Sequence, residues 1–159
     1  MQEITFVKFG QEDFHYYFQL VSNEKVMAQI TERAIPEEEA KIHFQEMVER
    51  NSESDLFGTY KVYKEGIFIG LGHLTPHPSN DRKAEIGYGL LPEYWGKGYG
   101  SAIANHLVRL AELTNITILK AIINPRNIAS RNILIKQGFI SVKVCEIDGL
   151  PGEILSKTL

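Results

Sequence analysis

Apolar and polar positions change period several times along this chain of 159 residues, and each change marks an element. "EITFVKF" (Glu3–Phe9) alternates and is rich in β-formers, which predicts a strand. Phe14, Tyr17, Phe18 and Val21 then recur at helical spacing, with Asp13 placed to cap that helix. A polar connection at Ser22–Glu24 leads into a short second helix over Lys25–Thr31. A third helix follows Pro36, because proline suits a first helical position and Glu37–Glu39 put negative charge on the positive end of the helix dipole. Ala40, Phe44, Met47 and Val48 form its buried stripe, and Asn51–Asp55 closes it.

The period then shortens to two. Leu56–Lys64 and Ile67–Leu74 flank Glu65-Gly66, which predicts a hairpin with a tight turn. Thr75–Lys83 holds two prolines and predicts a polar loop, and Ala84–Leu91 predicts a third strand. Beyond a glycine-rich stretch, Ile103, Leu107, Leu110 and Ala111 mark one face of a helix ending near Leu113. Ile116–Ile123 reads as a buried strand, and Asn127–Phe139 as a helix that Gly138 stops. Two last strands, "FISVKVCEI" and "GEILSKTL", are joined by the turn "DGLPG". The order predicts an α/β (α+β) fold in one domain over residues 1–159. Its strand–helix–strand portion requires a right-handed crossover in a mixed sheet.

Composition narrows the function classes. The length suits one core, and 43% apolar with 23% charged residues is ordinary for a globular protein. A formal net charge of -3 without a long basic block argues against a nucleic-acid partner held through phosphates. Cys145 is the lone cysteine, so no intrachain disulfide forms. No basic start precedes an apolar run, and no apolar stretch nears the roughly 18 residues a membrane span needs. A cytoplasmic protein with no membrane partner is the expectation. No His, Cys, Asp or Glu group has ligand spacing, so no metal site is expected.

"EYWGKGYGSAIANHLVRLAE" (Glu93–Glu112) carries the chemistry. Gly96, Gly98 and Gly100 stand at alternate positions just before a helix. Glycine lets backbone amides approach a ligand and adopt positive φ. Amides at a helix start lack intrahelical partners and carry the positive end of the dipole, so the stretch reads as an anion site. A diphosphate held by the amides of Lys97–Ser101, with the Lys97 charge beside it, fits that reading. A Walker loop needs Gly-Lys-Ser/Thr after a four-residue gap, and "GKGYGS" lacks it. A Rossmann fingerprint needs different glycine spacing, early in a parallel unit. The plainer alternative is a glycine turn that lets the chain pass close to the core.

On these residues the chain resembles the GCN5-related N-acetyltransferase (GNAT) superfamily. "WGKGYG" is similar to its cofactor loop, Gln/Arg-x-x-Gly-x-Gly/Ala, with Trp95 standing where Gln or Arg is usual. "PEYWGKGYG" looks like the branch that acetylates ribosomal-protein N-termini. "NPRNIASRNILIKQGF" (Asn124–Phe139) resembles the family's second block through Asn127, Ser130, Lys136, Gly138 and Phe139. The resemblance implies a mixed, mostly antiparallel twisted sheet of about six to seven strands with helices on both faces. Acetyl-coenzyme A would lie where the parallel strands Ala84–Leu91 and Ile116–Ile123 splay apart. It further implies that Leu90 and Leu91 pair with the pantetheine arm. The amides of Gly96, Lys97, Gly98, Tyr99, Gly100 and Ser101 would hold the pyrophosphate. Asn127 would bond the pantetheine, Ser130 would lie near the sulfur, and Lys136 would meet the outer phosphate.

The implied reaction is acetyl transfer to a primary amine, on a small molecule or a peptide N-terminus. It needs a base for the ammonium proton and a donor for the oxyanion. Glu85 shares a strand face with Gly87 and Gly89, which leaves it an open stretch of sheet. Glu146, beside Cys145, is its rival as base. Many relatives place an acid tyrosine in the second block; here Leu134 stands there, and Ser130 is the substitute. Tyr16, off the first helix's stripe, and His73, at a strand end, are candidate acceptor contacts. The absent tyrosine keeps open a non-catalytic acyl-coenzyme A-binding module. In the family the final strands often pair across dimers, which makes a homodimer an expectation.

Overall fold

The computed structural model describes residues 3–30 and 33–159. A seven-stranded mixed sheet organises them, in the order β1-β2-β3-β4-β5-β7-β6. Its strands are β1 (Thr5–Lys8), β2 (Gly58–Lys64), β3 (Ile67–His77), β4 (Asn80–Leu90), β5 (Ile118–Ile123), β6 (Ile140–Ile147) and β7 (Leu150–Thr158). The helices are α1 (Phe14–Val21), α2 (Glu24–Met27), α3 (Glu37–Asn51), α4 (Tyr99–Glu112) and α5 (Ile128–Lys136). Only β4 and β5 run parallel, with α4 between them in sequence.

Two apolar layers hold the sheet. Ile103, Leu107 and Ala111 of α4 and Leu134 of α5 pack with Val62, Leu74, Ile86, Leu119 and Leu155 on one face. Leu20, Val21, Val26, Met27, Ala40, Phe44 and Met47 of α1–α3 pack with Phe68 and Leu91 on the other. Helices therefore cover both faces, as the resemblance implies. Val48 of the α3 stripe is only half-buried.

The predicted turn at Glu65-Gly66 has φ of 51° and 80°, both positive, as a two-residue hairpin of the right twist requires. Asp148 and Gly149 repeat that geometry at 51° and 81°, so β7 starts two residues before the predicted "GEILSKTL". Thr75–Lys83 is not a polar loop. β3 runs on to His77 and β4 begins at Asn80, so the prolines sit in a long hairpin. Pairing there is irregular between Pro76 and His77, where Pro76 cannot donate to the ladder.

Other local expectations shift slightly. The second helix spans Glu24–Met27 behind Asn23, whose Oδ1 accepts from the amides of Lys25 and Val26; Thr31 lies outside the described residues. Asp13 stands at the start of α1 but does not cap it. Its carboxylate accepts from the Gly10 amide at 2.8 Å and pairs with Lys61 at 2.9 Å. Asn51 ends α3 instead of lying in a loop. It is buried, and it donates to the carbonyls of Phe9 and Thr59 while accepting from the Thr59 amide, which fixes α3 to β1 and β2.

Candidate functional site

The parallel pair is brief: Lys83, Ala84 and Glu85 face Ile118, Leu119 and Lys120, and no pairing follows. Beyond Glu85 the two strands part. The Arg82 carbonyl accepts from Thr117, on the β5 side, and the Leu91 amide donates to Ile69, on the β3 side. Strand alternation between these two points turns the backbone groups of Ile86, Tyr88 and Leu90 into the gap. Leu90 thus has its backbone at the open edge, whereas the Leu91 amide is used within the sheet. The Trp95 indole folds back and donates to the Leu90 carbonyl at 2.8 Å, tying the glycine loop to the strand end.

The helix α4 begins beside this gap. Gly98 is its N-cap with φ 88° and ψ 0°, a left-handed conformation that strains any other residue, and no side chain caps the helix. Gly96 is also left-handed at φ 72°, and a Cβ built on it would meet nothing within 4 Å. The amides of Tyr99, Gly100 and Ser101 open the helix, while Ala102 already bonds the Gly98 carbonyl. Lys97 lies between the two left-handed glycines. Gly100 is packed: a Cβ there would come 2.9 Å from Ile133 Cδ1.

Helix α5 starts on the other side of the gap. Asn127 caps it, accepting from the Ser130 amide at 3.2 Å through Oδ1. The Ser130 hydroxyl donates to the Tyr88 hydroxyl at 3.2 Å. Leu134 is fully buried in the core and faces no gap. Lys136 ends α5, about 13 Å along the axis from Asn127. Its neighbour Gln137 bonds Asn105, two turns into α4, so Lys136 is not brought to the helix N-termini.

The opposite face of β4 carries the candidate base. Glu85 is half-buried between Thr75 on β3 and Lys120 on β5. Burial pushes its carboxyl up, and Lys120 opposes this only in part. His73 lies across from Gly87, and a Cβ on Gly87 would collide with the imidazole Nε2. This is the physical reason for glycine at position 87. His73 Nδ1 shares a 3.0 Å hydrogen bond with Thr75 Oγ1. Burial, reinforced by Arg50, lowers its pKa to about 4, so the ring is neutral at pH 7.

Tyr16 packs on Phe68 with ring centroids 4.6 Å apart and stands near Tyr63 and Lys61 on this same face. Glu146 is exposed on the edge strand β6, with β5 and β7 between it and β4. At roughly 4.8 Å per strand that is about 14 Å, so the structure does not bring Glu146 to Glu85.

A groove of about 780 Å³ runs along α4 against β1 and the β2–β3 turn, lined by Thr5, Tyr63, Ser101, Asn105 and Arg109 among others. Glu85, Tyr88 and Ser130 do not line it. Among the described residues no helix is long and apolar enough to cross a membrane, and no three His, Cys, Asp or Glu side chains group to hold a metal ion.

The arrangement suits a long anionic ligand with an extended arm. An open strand edge offers backbone groups to an extended amide-bearing arm, and an uncapped helix start offers amides to a diphosphate. Tyr88 is not among the candidates read from the sequence; the alternation of "AEIGYGLL", which places its side chain opposite to Glu85, was the available signal.

Residues 3–140 match the family described as acetyltransferase (GNAT) domain. An uncharacterised N-acetyltransferase of Bacillus subtilis (strain 168), YoaA, is 28% identical over 142 residues, covering 86% of this chain and 72% of the relative. A crystal structure of an aminoglycoside acetyltransferase in complex with coenzyme A superposes with a TM-score of 0.84 at 14% identity, covering 98% of this chain and 95% of that one. The ribosomal-protein-alanine N-acetyltransferase of Brucella melitensis gives 0.80 at 19% identity, covering 99% of both chains. At these identities the two structures establish a shared fold.

Proposed function

The chain belongs to the GNAT acetyltransferase family, and from that premise we propose that it moves an acetyl group to a primary amine, on a small molecule or a protein N-terminus, by direct attack on the thioester. Acetyl-coenzyme A is the family's cofactor and supplies an activated acetyl thioester. One observation carries the reading: β4 and β5 separate after Glu85 and Lys120, directly beside the uncapped, glycine-led start of α4.

In this reading the edge of β4 at Tyr88 and Leu90 bonds the pantetheine arm, joined by the amide of Asn127. The amides of Gly98–Ser101 hold the pyrophosphate, where charge-assisted hydrogen bonds contribute roughly 1.5–3 kcal/mol each. A β4 amide at the open edge stabilises the oxyanion. Glu85 takes the ammonium proton of the acceptor, directly or through water. His73 and Tyr16 line the acceptor side of the same sheet face. A net charge of -3 favours cationic acceptors through long-range attraction. A homodimer would cover the edge strand β6, where Ile140, Val142 and Val144 are 70%, 65% and 65% exposed.

Incubation with acetyl-coenzyme A and a panel of polyamines, aminoglycosides, amino acids and alanine- or serine-starting peptides tests the reading. Amine-dependent release of free thiol is the expected result. Tight cofactor binding with no release above the amine-free rate would contradict transfer to these amines.

A further inference from the structure

We infer that Tyr88 faces the departing sulfur of acetyl-coenzyme A and gives it a proton, with Ser130 positioning the phenol. This rests on the cofactor cleft proposed above. Three placements support it. The Tyr88 backbone lies at the open edge of β4, three residues past the last paired position, Glu85. Its ring reaches towards the first turns of both cofactor-side helices. Its Cε2 lies 3.9 Å from where a Cβ on Gly100 would stand, and its hydroxyl is 3.2 Å from Ser130 Oγ. The phenol therefore spans the mouth of the gap from β4 to α5, where a thioester laid along the β4 edge must pass it. Leu134, one turn further along α5, is sealed in the core and offers no proton.

Acidity assigns the roles within the Ser130–Tyr88 hydrogen bond. A serine hydroxyl beside the phenol donates to the phenolate that proton transfer leaves. The phenol is the stronger acid, near 10 in water, against an aliphatic hydroxyl that scarcely ionises. As the carbon–sulfur bond breaks, its electron pair stays on sulfur. Tyr88 gives sulfur the phenolic proton, and the phenolate recovers one from water. Burial pushes the Tyr88 hydroxyl up and the Ser130 hydrogen bond opposes it; no charged group acts on it among the described residues. On α4 and α5 its neighbours include Gly100 and Ser130.

Coenzyme A itself, with its free thiol, provides a test that needs no acceptor. Its bound thiol is titrated through the ultraviolet absorbance of the thiolate, as the difference from enzyme without ligand. Calorimetry establishes binding for wild type, Tyr88→Phe and Ser130→Ala. A hydrogen bond donated to the thiolate makes the thiol a stronger acid. Tyr88→Phe should therefore leave the bound thiol about tenfold weaker as an acid than in wild type. Ser130→Ala should shift it the same way by less. Identical titrations in wild type and Tyr88→Phe, with coenzyme A bound to both, would overturn the role of Tyr88 and leave the cleft standing. No binding to wild type would overturn both.

Discussion

At the scale of single residues, Glu85 and His73 share one face of the sheet, and burial drives both towards their neutral forms. For His73 the folded pKa of about 4 lies below the ordinary 6.5. The unfolded chain then takes up a proton that the native state refuses, so stability is full above about pH 6.5 and is lost as pH falls towards 4. The loss is on the order of 3 kcal/mol. His73→Gln should flatten the acid limb of denaturant midpoints between pH 6.5 and 4; an unchanged limb would show that this ring does not titrate with unfolding. For Glu85 the folded pKa is raised, so its ionisation costs stability as pH rises past the unfolded value. Glu85→Gln should leave the melting temperature at pH 7 unchanged or higher. It should also lower turnover by about 100-fold at unchanged cofactor affinity, as expected for a lost base. Wild-type turnover in that variant would move the base to water or another group. Glu85 and the glycines beside it were legible because a strand's alternation fixes which residues share a face. The Asp13–Lys61 pair, the Trp95 bond to Leu90 and the Tyr88–Ser130 bond were not, because each joins residues whose meeting depends on how elements dock.

At the scale of elements, helix α5 does two jobs through one residue. Asn127 Oδ1 caps the helix, while its amide Nδ2 is the group proposed to meet the cofactor. Asn127→Ala removes both and should cost about 1 kcal/mol, or roughly 2–4 °C in melting temperature, as well as cofactor affinity. Asn127→Asp keeps a capping oxygen and loses the donor. It should retain the melting temperature while weakening acetyl-coenzyme A binding in calorimetry, and unchanged binding would limit Asn127 to capping. Element types were legible almost throughout, since hydrophobic period separates helices from strands. The stretch Thr75–Lys83 was misread because its polar residues and prolines mimic a loop. Cross-strand pairing of Thr75 with Glu85 and Pro76 with Ala84 keeps much of it in the sheet instead.

At the scale of the molecule, the proposed function rests on a sheet that is incomplete in one place. Seven strands pair continuously except where β4 and β5 part, and both N-terminal helix ends, α4 and α5, flank the opening. The element order was readable from the chain, and the crossover demanded the parallel pair. The length of the splay was not, because it is set by β5 leaving β4 after Lys120 while its pairing with β7 runs on to Ile123. This opening, led by Gly98, is the proposed seat of acetyl-coenzyme A. Thermal unfolding of wild type and Gly98→Val, each with and without acetyl-coenzyme A, tests it most directly. Ligand at about 100 times its dissociation constant adds about 2.7 kcal/mol, or roughly 5–10 °C for a domain of this size. That rise is expected in wild type and none in Gly98→Val, whose branched side chain stands in the left-handed turn at the helix start. No rise in wild type, or an equal rise in both, would contradict the proposal.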